Sequence, residues 1–144
     1  MINGPNLNKL GMRNSAHYGF KTLEDIELMM SQQSNDLNMA LTFFQSNSEG
    51  DIIDVIQQAD DYSGLIINAG AYTHYSYAIA DALEMLEIPI VEVHLSNIHN
   101  REDYRAKSVL ARCCVGQISG FQEESYSLAL VALEKILKNN GGNE

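Results

Sequence analysis

Apolar residues fall along this chain in two rhythms. Strand-length runs of mostly successive apolar residues occupy 40–44 (Ala40-Leu41-Thr42-Phe43-Phe44), 64–68, 89–94 and 113–118. Continuous rather than alternating apolar character marks strands covered on both faces, as in a parallel sheet. Between these runs the apolar positions recur at helical spacing. Leu23, Ile26, Met30 and Leu37 follow Thr22, which forms a capping signature with Asp25. Ser48 opens a second helix carrying Ile52, Ile53, Val55, Ile56 and Ala59. A third helix is expected over about 75–86, stopped by Pro89, and a fourth over about 123–138, carrying Leu128, Val131 and Leu133.

Strand and helix alternate throughout, which predicts an α/β fold with a mainly parallel sheet. Ligands of such sheets bind beyond the carboxyl ends of the strands. Residues 1–138 read as a single domain and 139–144 as a disordered tail rich in Asn and Gly. One irregularity stands at the front. Only Met1 and Ile2 precede the turn Asn3-Gly4-Pro5-Asn6, so the first strand is expected to be truncated. Two residues span about 7 Å, where an ordinary strand has about five or six residues.

Composition narrows the function without naming it. The 144 residues show no repeat, are 45% apolar and 19% charged, and carry a formal net charge of −10. Such a chain is globular, and its acidity argues against nucleic acid or an anionic membrane as partner. The first residues lack the charged and apolar regions of a secretory signal, and no apolar stretch approaches the ~20 residues of a membrane helix. The two cysteines, Cys113 and Cys114, are neighbours; they read as core filling in a reducing compartment. A cytoplasmic protein is expected.

The charge is unevenly placed. Residues 1–19, 68–76 and 94–112 hold six of the nine Lys and Arg but only two of the nineteen acids. These segments contain the loops that follow the first, third and fourth predicted strands. Three loops rich in Asn, His, Arg and Tyr therefore converge on one sheet edge, a pattern suited to a small anionic ligand. Taken singly, Asn-Gly-Pro-Asn is ordinary turn chemistry, and His17 and His99 read as surface residues. Phosphate-binding glycine loops, the histidine pair of a zinc protease and a Gly-x-Ser-x-Gly elbow are all missing from the sequence.

Four segments carry a closer likeness. Ile2-Asn3-Gly4-Pro5-Asn6-Leu7-Asn8, Phe44-Gln45-Ser46-Asn47 with Glu49-Gly50, Asn68-Ala69-Gly70-Ala71-Tyr72-Thr73-His74 and Glu92-Val93-His94-Leu95-Ser96-Asn97-Ile98 closely resemble the type II 3-dehydroquinate dehydratase family. The resemblance runs from Ile2 to about Leu137. It implies a flavodoxin-like three-layer sandwich, a homo-oligomer assembled as a dodecamer (a tetramer of trimers), and no metal or cofactor. The implied substrate is 3-dehydroquinate, dehydrated to 3-dehydroshikimate in the shikimate pathway or in quinate breakdown.

Eliminating water from a β-hydroxy ketone needs a base, support for an enolate oxygen and an acid for the departing hydroxyl. By resemblance Tyr18 is the base, and Arg13 stabilises its phenolate. Asn6 supports the enolate, His94 is the general acid, and Glu92, on the same strand face two residues earlier, orients it. The substrate carboxylate matches the Ser96 hydroxyl and the backbone N–H groups of Leu95 and Ser96. Asn68, His74 and Arg105 match groups that bind ring hydroxyls, and Asp81 matches a residue reaching the site from an adjacent subunit. The chain departs from the family at Tyr75 (usually Thr), at Val109 (commonly Tyr), at Lys9 (usually apolar), and in Gln122-Glu123-Glu124-Ser125-Tyr126, which replaces a Gly-rich turn. An alternative reading is a catalytically impaired homologue that binds a cyclic carboxylic acid or serves only in assembly.

Overall fold

The computed structural model describes residues 1–12 and 15–141, with the backbone alone at Ser15 and Tyr18. Five strands form one sheet: β1 (Ile2–Asn3), β2 (Phe44–Gln45), β3 (Leu65–Asn68), β4 (Ile90–His94) and β5 (Gly116–Ser119). Their order is β2-β1-β3-β4-β5, and every neighbouring pair is parallel. This is the flavodoxin-like order, whose direction of winding reverses between β1 and β3.

The helices are α1 (Ser15–Tyr18), α2 (Leu23–Asp36), α3 (Glu49–Ile56), α4 (Tyr77–Glu84) and α5 (Glu124–Gly141). Their starts follow local chemistry. Thr22 Oγ1 accepts the Asp25 N–H while Asp25 Oδ2 accepts the Thr22 N–H, closing a capping box. Ser48 and Ser76 cap α3 and α4 by accepting the N–H groups of Asp51 and Ile79. α4 is shorter at both ends than the apolar pattern suggested, because that cap at Ser76 fixes its start. α5 continues through Gly141, so residues 139–141 of the expected tail are helical; residues 142–144 lie outside the described residues.

The sheet separates two cores. Ile2, Leu65, Ile67 and Ile90 pack with Ile52, Ile56, Ile79 and Leu83 under α3 and α4. Ile66, Val91, Val93 and Leu95 pack with Ile26, Met30, Tyr126 and Leu130 under α2 and α5. Successive strand residues thus enter opposite cores, which is why the strands are apolar without alternation.

The short first strand is real but central. Ile2 and Asn3 pair with β2 on one side and β3 on the other. Flanking bonds lengthen the ladder: Phe44 N–H donates to Met1 O, Ser46 N–H to Asn3 O, and Gly4 N–H to Asn68 O. Because β2 has only this stub to pair with, it covers Phe44–Gln45 rather than 40–44, while Leu41 and Phe43 contribute packing to the α2/α5 core. Cys113 and Cys114 lie before β5 rather than within it, in and after a 3₁₀ turn (Ala111–Cys113). Both are free and half-buried against the α3/α4 core, and burial first of all pushes the Cys114 thiol up to about 12.

Candidate active site

The carboxyl ends of β1, β3 and β4 open into one cleft with a cavity volume of about 120 Å³. Asn6 and Pro5 line it from the β1 loop, Asn68 and His74 from the β3 side, and His94, Leu95, Ser96, Arg101 and Arg105 from the β4 side. The β1 and β3 loops meet closely. A Cβ on Gly4 would stand 2.4 Å from the Ala69 carbonyl oxygen, so only glycine fits there. Asn6 takes the left-handed conformation, with φ of 65°, which Asn tolerates better than most residues. Its N–H donates to Asn47 Oδ1 at 2.9 Å. Asn47 is itself tied by Gln45, which donates to Oδ1, and by the Tyr72 hydroxyl, which donates to its carbonyl. The Phe44-Gln45-Ser46-Asn47 motif therefore braces the β1 loop from the neighbouring strand.

Asn68 ends β3 with its amide oriented by two neighbours. Nδ2 donates to the Tyr126 hydroxyl at 2.8 Å, Oδ1 accepts the Gly70 N–H, and Tyr126 donates onward to Asn3 Oδ1 at 2.6 Å. Burial drives the Tyr126 phenol far above its ordinary range, which keeps it a neutral donor. Tyr126 follows a turn in which Gln122, at φ 51°, occupies the left-handed region that favours glycine. The His74 ring takes its orientation from the backbone. Nδ1 lies 2.8 Å from the Lys107 carbonyl, an obligate acceptor, so Nδ1 carries the proton and Nε2 is an acceptor in the neutral ring. Burial lowers the His74 pKa, outweighing that carbonyl.

His94 and Glu92 form the centre of the site. The two lie on one face of β4 at successive even positions, with Nε2 of His94 at 2.7 Å from Oε1 of Glu92. Glu92 is fully buried. It also accepts hydrogen bonds from Thr73 Oγ1 (3.1 Å), Ser108 Oγ (2.7 and 2.9 Å to the two oxygens) and Gln117 Nε2 (2.9 Å). Burial pushes its pKa up, but His94, Ser108 and Gln117 outweigh that and hold the carboxyl below its ordinary value. An ionised Glu92 only accepts, so Nε2 of His94 carries a proton and the contact with Glu92 leaves Nδ1 uncommitted.

Ser96 and Leu95 are buried at the end of β4, where Ser96 Oγ receives a long contact (3.4 Å) from Arg101 Nη1. Arg105 stacks over the Tyr104 ring and faces Glu102 at 3.2 Å. Arg101 pairs with the same Glu102 at 3.6 Å. Sequence reasoning placed Arg101 in the loop but gave it no part in the site; its four-residue spacing from Arg105 was the available signal. Tyr126 left no signal, since its hydroxyl reaches the site across 58 residues of sequence. Arg13 lies outside the described residues, as does the Tyr18 side chain, whose backbone ends α1. Asp81 is exposed on α4 and does not line this chain's own cleft. Among the described residues no three His, Cys, Asp or Glu side chains gather as metal ligands, and no helix is long and apolar enough to cross a membrane.

A doubly wound sheet with an acid–base pair in its switch-point cleft defines an α/β enzyme. The chain belongs to the class II dehydroquinase family, whose model, described as "Dehydroquinase class II", matches residues 1–134. It is 53% identical over 139 residues to a 3-dehydroquinate dehydratase of Caldicellulosiruptor saccharolyticus, covering 95% of this chain and 96% of that one. It is 54% identical over 136 residues to a 3-dehydroquinate dehydratase of Clostridium beijerinckii, covering 93% of each. Among solved structures, a type II dehydroquinase from Butyrivibrio crossotus superposes with a TM-score of 0.90 at 45% identity, covering 92% of this chain and 93% of that one.

Proposed function

We propose that this chain removes water from 3-dehydroquinate to give 3-dehydroshikimate, by proton abstraction, an enolate and loss of the hydroxyl, protonated by an acid, as water. The observation that carries this reading is the buried Glu92–His94 pair at the edge of a cleft whose other polar walls are Asn6, Asn68, His74, Ser96, Arg101 and Arg105. Elimination leaves the oxidation state of the substrate unchanged overall, so the side chains supply what it requires: one base, one acid and an oxyanion partner.

In this mechanism Tyr18 takes the proton beside the ketone and Arg13 stabilises its phenolate. Asn6 supports the enolate oxygen. His94 delivers a proton through Nδ1 to the departing hydroxyl, with Glu92 fixing the ring. The N–H groups of Leu95 and Ser96 and the Ser96 hydroxyl hold the substrate carboxylate. His74, Asn68 and Arg105 receive the ring hydroxyls; with Nδ1 bound to Lys107, His74 offers Nε2 as an acceptor to a hydroxyl donor. Asp81, exposed on α4, serves the site of a neighbouring subunit in a dodecamer of trimers. The enzyme works in the cytoplasm without metal or cofactor, in the shikimate pathway or in quinate breakdown.

The test is direct. Purified protein incubated with 3-dehydroquinate develops the near-ultraviolet absorbance of a conjugated enone carboxylate. A folded protein that produces no such signal would refute catalysis and favour a homologue that only binds or assembles.

A further inference from the structure

Glu92 is a fully buried carboxylate with more neutral hydrogen-bond donors than a single histidine partner requires, and those donors come from three separate parts of the chain. Thr73 lies in the 3₁₀ turn Gly70–His74, Ser108 in the segment before the 3₁₀ turn Ala111–Cys113, and Gln117 on β5. The arrangement is held from outside the site. Gln117 is the direct cross-strand partner of Glu92 in the parallel ladder, so β5 delivers its amide by register. The Thr73 carbonyl accepts the Val109 N–H, which fastens the 3₁₀ turn to the Ser108 segment. Ser108 Oγ accepts the N–H groups of both Leu110 and Ala111. With both lone pairs engaged, its own proton has only the carboxylate to point at.

We propose that Thr73, Ser108 and Gln117 are positioning residues for the dehydration step, a neutral donor cage that keeps Glu92 an anion in contact with His94 Nε2. The proposal rests on the reading of His94 as the acid. Its physical logic is the cost of a buried charge. A carboxylate removed from water must have its oxygens satisfied, or it takes up a proton and becomes neutral. A neutral Glu92 would turn its own proton toward Nε2, and His94 would no longer be held as a donor to an anion. Neutral donors solve this without a further charged partner, which would compete with His94 for the same oxygens. The charged and titratable groups facing the pair are consistent with that design. His74 approaches from the Thr73 turn, its ring stacked on His94 with centroids 6.5 Å apart, and burial favours its neutral form. Cys114 approaches from the segment before β5 and remains a thiol. Arg105 lines the same cleft, acts on His74 through its charge and is paired with Glu102.

The experiment is steady-state kinetics with 3-dehydroquinate across pH for Thr73→Val, Thr73→Ser, Gln117→Met and His94→Ala, with circular dichroism to confirm folding. Thr73→Val keeps the shape and deletes the hydroxyl; Thr73→Ser keeps the hydroxyl. The expected result is a fall in kcat of roughly tenfold or more for Thr73→Val and Gln117→Met, with KM within about twofold. The acid limb of their kcat/KM profiles moves to higher pH, because a carboxylate short of one donor protonates sooner. Thr73→Ser returns to the parental rate and profile. Should Thr73→Val not fold, Gln117→Met on the half-buried edge strand carries the test alone. Parental kcat and an unmoved acid limb in folded donor variants, with His94→Ala inactive, would overturn the cage and leave the site reading intact. Parental turnover in His94→Ala would instead remove the reading on which the cage depends.

Discussion

The two halves of the cleft are built on different principles. On the inner side Glu92, His94 and Asn68 are buried, and their polar side-chain atoms are tied at 2.7–3.2 Å to one another and to groups from β5, α5 and the connecting turns. On the rim, Arg101 and Arg105 share the exposed Glu102, and Asn6 is held through its backbone by an exposed Asn47. Buried donor–acceptor pairs lose much when one partner is removed, since the other is stranded away from water. Rim ion pairs lose little, because water and salt replace the partner. The inner half is therefore preorganised, whereas the rim half can adjust as a ligand arrives.

Five predictions press on that contrast. The largest effect belongs to His94→Ala, which should lower kcat by about a hundredfold or more while the fold persists; a rate near the parent in the absorbance assay would take the acid role from the inner half. Next, Glu92→Leu should destabilise the protein by about 3 kcal/mol, because Thr73, Ser108 and Gln117 would be left without an acceptor; urea unfolding measures it. pH gives a third. The folded pKa of Glu92 lies below its ordinary 4.5, so its contribution to stability is complete above that value. The contribution disappears as pH falls from about 4.5 through the folded pKa. Acid titration of the parent should show this loss, and that of Glu92→Leu should lack it.

The fourth prediction concerns Gln122. Its φ of 51° strains a non-glycine residue, so Gln122→Gly should stabilise the turn before α5 by about 1 kcal/mol, read as a higher melting temperature. The smallest effect belongs to the rim. Glu102→Gln should leave the melting temperature unchanged within error at physiological salt, since Glu102 is exposed and its pairs are screened. A marked drop would mean that the rim is as tightly built as the interior, and the contrast would collapse.

Much of this was written in local sequence. The caps at Thr22 and Ser48, the unbroken apolar strands and the crowding of Asn, His and Arg after three strands depend on neighbours a few residues apart. They fixed the α/β class and the sheet edge that carries the site. The parity of Glu92 and His94 along one strand was equally legible, since residues two apart share a face. What the chain alone did not disclose depends on contacts between distant segments. The two-residue β1 is a sound central strand because β2 and β3 supply its partners. Gln117 stands beside Glu92 because of the β4–β5 register, and Tyr126 reaches Asn3 and Asn68 because α5 packs across the sheet. Periodicity records which face a residue turns toward. Only the closed tertiary structure decides which donor meets it there, because the acceptor and its donors come together only when strands far apart in sequence have aligned.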